Sequence, residues 1–173
     1  MINSENTQPL KKKTRALCFF VAEKSEPFGL PKMDAKLLAA VRQSIKETKG
    51  KRSSLDIIHT HGLIPAERII LAGLGHAHSI TDETIRISSG KIAKKIRELE
   101  ISEFSIVLPD KFPLKADSAA NAIVEGVSLS QYSFDKYKKE KSAKLQGLTI
   151  LVSDKTKISD HISKAKTVSD GVN

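Results

Sequence analysis

Apolar residues in "HSITDETIRISSGKIAKKIRELE" (78–100) recur at helical spacing. Ile85, Ser89, Ile92, Ile96 and Leu99 draw one stripe, while Lys91, Lys94, Lys95 and Arg97 fall elsewhere around the barrel. Thr81 stands where a side chain can cap the free amides. Asp82 and Glu83 occupy the first turn, where the helix dipole favours negative charge. A second stripe, Leu37, Leu38, Val41 and Ile45, predicts a helix from Met33 to about Thr48, with Gly50 at its C-cap. A third, Ala116, Ala119, Ala120, Ile123, Val124 and Val127, predicts a helix over 116–130. Its small-residue face suits close packing on a sheet. A fourth, Ile158, Ile162, Ala165, Val168 and Val172, predicts a last helix running to the end of the sequence.

Between these helices lie short apolar runs of strand type. "RALCFFVA" (15–22), "EFSIVLP" (103–109) and "GLTILVS" (147–153) read as buried strands. "LDIIHT" (55–60) and "ERIILAG" (67–73) flank "HGLIPA" and read as a hairpin with a longer loop. The order β-α-β-β-α-β-α-β-α predicts an α/β layered domain, a mixed sheet flanked by helices. Residues 1–14 are polar and then basic and read as a flexible arm, leaving 15–173 as one domain.

Composition adds three constraints. With 173 residues and 39% hydrophobic residues there is enough for one modest core, built without tryptophan. The single cysteine, Cys18, excludes an internal disulfide framework and fits a reducing compartment. The apolar run 16–22 is too short to span a bilayer, so a cytoplasmic location with no membrane partner is expected. The net charge of +9 favours an anionic partner, which makes DNA the alternative partner. The lysines are scattered, though, and the pair at 94–95 is explained by the polar side of its helix.

Candidate chemistry is sparse. "GLG" (73–75) follows a strand and precedes a helix, where phosphate loops sit, but His78 stands where the dinucleotide fingerprint needs a third glycine. A tight strand-to-helix turn explains both glycines. Two His-x-His pairs occur, His59 with His61 and His76 with His78, with no acidic or cysteine partner adjacent in sequence. Cys18 sits within an apolar strand pattern, as a buried inert thiol would. No acid, base and nucleophile assemble, so no catalytic, cofactor-binding or metal-ligating residue is assigned. "QYSFDKYKKEK" (131–141) interleaves aromatics with lysines. Tyr132 and Phe134 share a face if extended, Phe134 and Tyr137 if helical, so no single conformation aligns all three for base stacking. The aromatics are expected to close the core's edge just after the helix, and the lysines to lie in a solvated loop.

Three segments in order carry a resemblance. "PAERIILAGLG" runs into "ITDETIRISSGKIAKKI" as a strand ending in Gly-Leu-Gly followed by a helix opened by Thr-Asp-Glu. "EGVSLSQYSFDKYKKEK" carries Glu125, Gly126, Leu129, Tyr132, Phe134, Asp135, Tyr137 and Lys138 in the pattern Glu-Gly-x-x-Leu-x-x-Tyr-x-Phe-Asp-x-Tyr-Lys. The end, "AKTVSDGVN", is similar to a helix that leads into a following domain. Together they resemble the N-terminal, non-catalytic domain of the leucyl (cytosol) aminopeptidases. The resemblance implies a macro-domain-like fold over about residues 15–173. It also implies an intact enzyme that is a hexameric metallopeptidase with two divalent cations, zinc or manganese, held by a C-terminal catalytic domain. The ligands and catalytic residues of that domain match no position here, so the chain is expected to be an accessory domain without the catalytic one. A natural stand-alone relative is the alternative. A nucleotide or ADP-ribose binder is a further one, by analogy of fold alone.

Overall fold

The computed structural model describes residues 1–135 and 145–153, with side chains through residue 131 in the first stretch. Six strands form one sheet. They are β1 (Ile2–Glu5), β2 (Leu17–Ala22), β3 (Leu55–His59), β4 (Arg68–Gly75), β5 (Glu103–Leu108) and β6 (Gly147–Val152). Their spatial order is β1-β6-β5-β2-β4-β3. Every neighbouring pair is parallel except β3 with β4, which forms the expected hairpin. The helices are α1 (Ala35–Thr48), α2 (Asp82–Glu98) and α3 (Ala116–Asp135).

The central strands show why their sequences are continuous apolar runs. All six residues of β2 are buried. Leu17, Phe19 and Val21 meet Leu37 and Val41 of α1 on one face. Cys18, Phe20 and Ala22 meet Ile85, Ile92 and Ile96 of α2 and Ala120, Ile123 and Val127 of α3 on the other. A strand covered on both faces needs no polar alternation. The predicted α/β layering, with a mixed sheet between helices, is what the chain adopts.

Local chemistry places the helix ends. Asp34 caps α1 by accepting from the Lys36 amide at 2.8 Å. Thr81 and Thr84 cap α2 reciprocally, each hydroxyl accepting the other's amide. At the end of α1 the left-handed C-cap is Lys49 (φ 56°), not Gly50. Gly50 follows with φ 62°, and a Cβ there would stand 2.6 Å from the Ala22 carbonyl oxygen. The glycine is needed for the close approach of the helix end to β2.

Two sequence expectations change. Residues 2–5, read as part of a flexible arm, form β1 and pair in parallel with Leu148–Leu151 of β6. Polar "INSE" carries no strand signal. Its ladder rests on backbone bonds offered by the edge of β6, and only Ile2 packs on the core. Helix α3 runs to Asp135 rather than ending near 130, so the start of "QYSFDKYKKEK" is helical, not loop. The predicted last helix, 158–172, lies outside the described residues.

Candidate functional site

The Gly-Leu-Gly turn ends β4. The Gly73 amide donates to the Ser54 carbonyl at 2.9 Å and the Gly75 amide to the Gly50 carbonyl at 3.0 Å. The Gly75 carbonyl accepts from the Glu23 amide at 2.9 Å. A Cβ on Gly73 would fall 2.1 Å from the Lys51 carbonyl oxygen. Both amides that a phosphate would need are therefore already bonded, and Gly73 is there because the 50–54 loop crosses it. The crossing loop thus gives Gly73 a structural reason.

This crossing gathers three loops at one end of the sheet: 22–25, 49–54 and 75–79. They bring Lys24, Lys49, Lys51 and Arg52 together as exposed cations, and none has a carboxylate partner among the described residues. Part of this charge is explained locally, because α1 ends here and cations near a helix C-terminus offset its dipole.

The histidine pairs do not converge. His59 and His61 lie at the hairpin's turn, His76 and His78 beyond the other end of β4, separated by roughly 23 Å for a strand of this length. Within each pair the rings are near, at 6.2 Å for His59–His61 and 5.6 Å, stacked, for His76–His78. The structure adds an acid that sequence order hides: Glu23, from the loop after β2, stands 3.2 Å from His76 Nδ1. Even so, no group of three or more His, Cys, Asp or Glu among the described residues could hold a metal ion. The dimetal centre that the family resemblance implies belongs to the catalytic domain, and these residues do not fit it.

Cys18 is fully buried, and burial alone pushes its thiol far above the ordinary range. A protonated thiol without solvent access is no nucleophile. No described helix is long and apolar enough to cross a membrane. The side chains of residues 132–135 and all of 136–144 lie outside the described residues, and with them the aromatic and lysine reading of that stretch.

The Glu-Gly pair of the third helix has a clear structural role. Glu125 accepts from Arg86 Nε at 2.7 Å, and Arg86 also pairs with Glu83 one turn earlier in α2. These two carboxylates hold the Arg86 guanidinium above its ordinary pKa, Glu125 contributing most. Gly126 lets α3 lie directly against α2, since a Cβ there would stand 2.1 Å from the Arg86 carbonyl oxygen.

The described residues also form a concave feature. A cleft of about 320 Å³ opens where β5 and β6 end, between the 6–9 turn and Gly29. Sequence reasoning missed it, because its walls come from four segments far apart in the chain.

Comparison with known proteins supplies the wider frame. Residues 17–141 match the Cytosol aminopeptidase family, N-terminal domain. A probable cytosol aminopeptidase of Cenarchaeum symbiosum (strain A) is 35% identical over 153 residues, covering 87% of this chain and 30% of that protein. Its counterpart in Geotalea uraniireducens (strain Rf4) is 31% identical over 124 residues, covering 69% of this chain and 24% of that protein. The chain thus spans less than a third of these relatives' length. Among solved structures, a tomato leucine aminopeptidase mutant superposes with a TM-score of 0.69 at 20% identity, covering 99% of this chain and 36% of that one. The bottromycin maturation enzyme BotP superposes with a TM-score of 0.64 at 15% identity, over 91% of this chain and 30% of that one. At such identities the two structures speak to the fold.

Proposed function

Because the chain belongs to the cytosol aminopeptidase family, through its N-terminal domain, we propose that it is the non-catalytic accessory part of a cytoplasmic leucyl aminopeptidase. The observation that carries this is the match of residues 17–141 to the N-terminal domain, in a chain covering 30% of the Cenarchaeum symbiosum relative. In this reading hydrolysis belongs to the part of the relatives' length that the chain does not span. The two divalent cations, zinc or manganese, belong there too. The work of this domain is to pack against the catalytic part and shape the oligomer, a hexamer in the intact enzyme. The closely packed α2–α3 pair suits such a role, since Gly126 and the Arg86–Glu125 ion pair join the two helices.

An assay of this chain with leucine p-nitroanilide and added Mn²⁺ or Zn²⁺ tests the reading. The expected outcome is no turnover above buffer; clear turnover would overturn the non-catalytic assignment.

A second reading, DNA binding, is favoured by one observation: the cluster of Lys24, Lys49, Lys51 and Arg52 at one end of the sheet in a chain of net charge +9. Gel shifts across a salt series separate the two, because phosphate contacts lose affinity steeply as salt rises. Absence of any shift at low salt removes this reading.

A further inference from the structure

We propose that the outer edge of β3 is a pairing surface for a second copy of this chain, and that the Asp56 carboxylate keeps it closed by occupying the Ile57 amide. This pairing is independent of the accessory role proposed above and needs no catalytic part.

β3 ends the sheet order, so among the described residues no strand pairs with its outer side. The ladder fixes which backbone groups point there. The Gly73 amide donates to the Ser54 carbonyl at 2.9 Å, and the Thr60 amide to the Glu67 carbonyl at 3.1 Å. In an antiparallel pair, successive residues alternate between facing the partner strand and facing away. Ser54, Asp56, Ile58 and Thr60 therefore face β4, while Leu55, Ile57 and His59 turn their amides and carbonyls outward.

An open edge of this composition invites pairing. Lysines and prolines usually protect sheet edges, and β3 (LDIIH) contains neither. Leu55 and Ile57 pack, half-buried, on the α2–α3 side of the core, and Ile58 is buried on the α1 side. The sheet's other edge, β1, is short and mostly polar (INSE). In β3 the protection falls to Asp56. Its carboxylate turns along the strand and accepts from the Ile57 amide at 2.9 Å, the central one of the three outward amides. A strand adding at this edge must first displace that charge-assisted bond.

A second copy fits the edge by symmetry. Leu55 and His59 stand equally far to either side of Ile57. Two β3 strands can therefore meet antiparallel about a two-fold axis, with Ile57 opposite the partner's Ile57 and Leu55 opposite the partner's His59. Every outward amide then faces an outward carbonyl. In the same register Asp56 falls opposite the partner's Ile58, in a pair whose side chains stand about 4.5–5.5 Å apart. Ile58 is only 8% exposed, so the carboxylate there would lose hydration against an aliphatic neighbour. Asp56 thus opposes the pairing twice, by its bond and by its charge.

The experiment compares the chain with its Asp56→Ala variant over a concentration series, by sedimentation velocity and by amide exchange. The parent should stay monomeric. Asp56→Ala should dimerise, with a dissociation constant lower by about tenfold or more, because neither copy has a charge-assisted bond to displace. At high concentration, exchange in the variant should slow at the outward amides of Leu55, Ile57 and His59. It should stay as in the parent at Asp56 and Ile58, which face β4. A monomeric Asp56→Ala, a dimer without slowing at the three outward amides, or a parent that associates as strongly as the variant would each overturn the proposal. If the variant folds poorly, exchange at Asp56 and Ile58 speeds up, and the parent alone decides. In the parent, the bonded Ile57 amide should exchange more slowly than those of Leu55 and His59. Equal rates at all three would show that Asp56 does not hold this edge, and would overturn the proposal too. None of these measurements uses turnover, so failure here and failure of the accessory role are separate results.

Discussion

The two faces of the sheet are closed in different ways. On one, α1 lays Leu37 and Val41 across Leu17, Phe19, Ile69 and Leu71, and the close backbone approach, at Gly50, falls just past the end of the helix. On the other, α2 and α3 cover the sheet together and also press backbone to backbone at Gly126 and Arg86. The first is an ordinary amphipathic dock, which can relax around a lost side chain. The second is a three-layer joint in which one residue's missing Cβ sets the spacing of two helices. Volume should therefore govern one face, and close backbone fit the other.

The largest expected effect comes from burying a charge in the joint. Ile92 is fully buried, in a cluster whose described members are all apolar. Ile92→Asp should cost on the order of 3 kcal/mol or more, because the ion loses its hydration without a partner. Denaturant unfolding checks it, and a loss below 1 kcal/mol would show that this face opens more easily than its packing implies. On the other face, Leu37 is 2% exposed. Leu37→Ala should cost about 3 kcal/mol, a transfer loss plus a cavity, softened if α1 settles into the gap. If it cost more than Ile92→Asp, the ranking of the two faces would be reversed.

A pair of glycines in the joint sharpens the contrast. An alanine Cβ at Gly126 would meet the Arg86 carbonyl oxygen at 2.1 Å, and that atom is backbone in the facing helix. Gly126→Ala should destabilise by about 1–3 kcal/mol, since the helices must part. Gly90 sits in the same joint, but its Cβ would come only to 3.1 Å from the Gly126 carbonyl oxygen. There, the gain in helix propensity of about 1 kcal/mol offsets a shift of a few tenths of an ångström. Gly90→Ala should therefore be near neutral in thermal unfolding. Equal effects at the two positions would mean that close fit does not govern this face.

The same contrast separates what the sequence made legible from what it hid. Periodicity located α1, α2 and the hairpin, because those elements bury side chains at a regular spacing that the chain itself displays. The Thr81 cap was readable for the same reason: its partner, Thr84, is three residues away. Contacts made by backbone were not readable. Nothing local in "GLG" says that Gly73 faces the 50–54 loop, and nothing in "EG" says that Gly126 faces Arg86. The polar β1 was hidden because β6 supplies its bonds from the far end of the sequence. The candidate cleft was hidden twice over, by its scattered walls and by its dependence on β1 leading into the 6–9 turn.

The smallest effect belongs to that edge, where neither kind of packing operates. Glu5 ends β1, accepts from the Thr7 hydroxyl at 2.6 Å and pairs with Lys12. The Lys12 hydrogen bond, ahead of Thr7, holds its carboxyl below the ordinary carboxylate value. A lowered folded-state pKa means that the stabilisation is present above the unfolded value and is lost as pH falls through the folded one. The Glu5 side chain is 38% exposed, so solvent screening should leave well under 1 kcal/mol, about the size of a surface pair. Glu5→Gln should thus lower stability slightly at neutral pH, and the difference from the unsubstituted chain should close as pH drops below about 4. Because β1 is bound by backbone at an edge, the clearest readout is amide exchange at Leu148–Leu151, which should speed up in the variant near neutrality and match the parent in acid. A difference that stayed constant with pH would show that Glu5 acts through the 6–9 turn rather than through its charge.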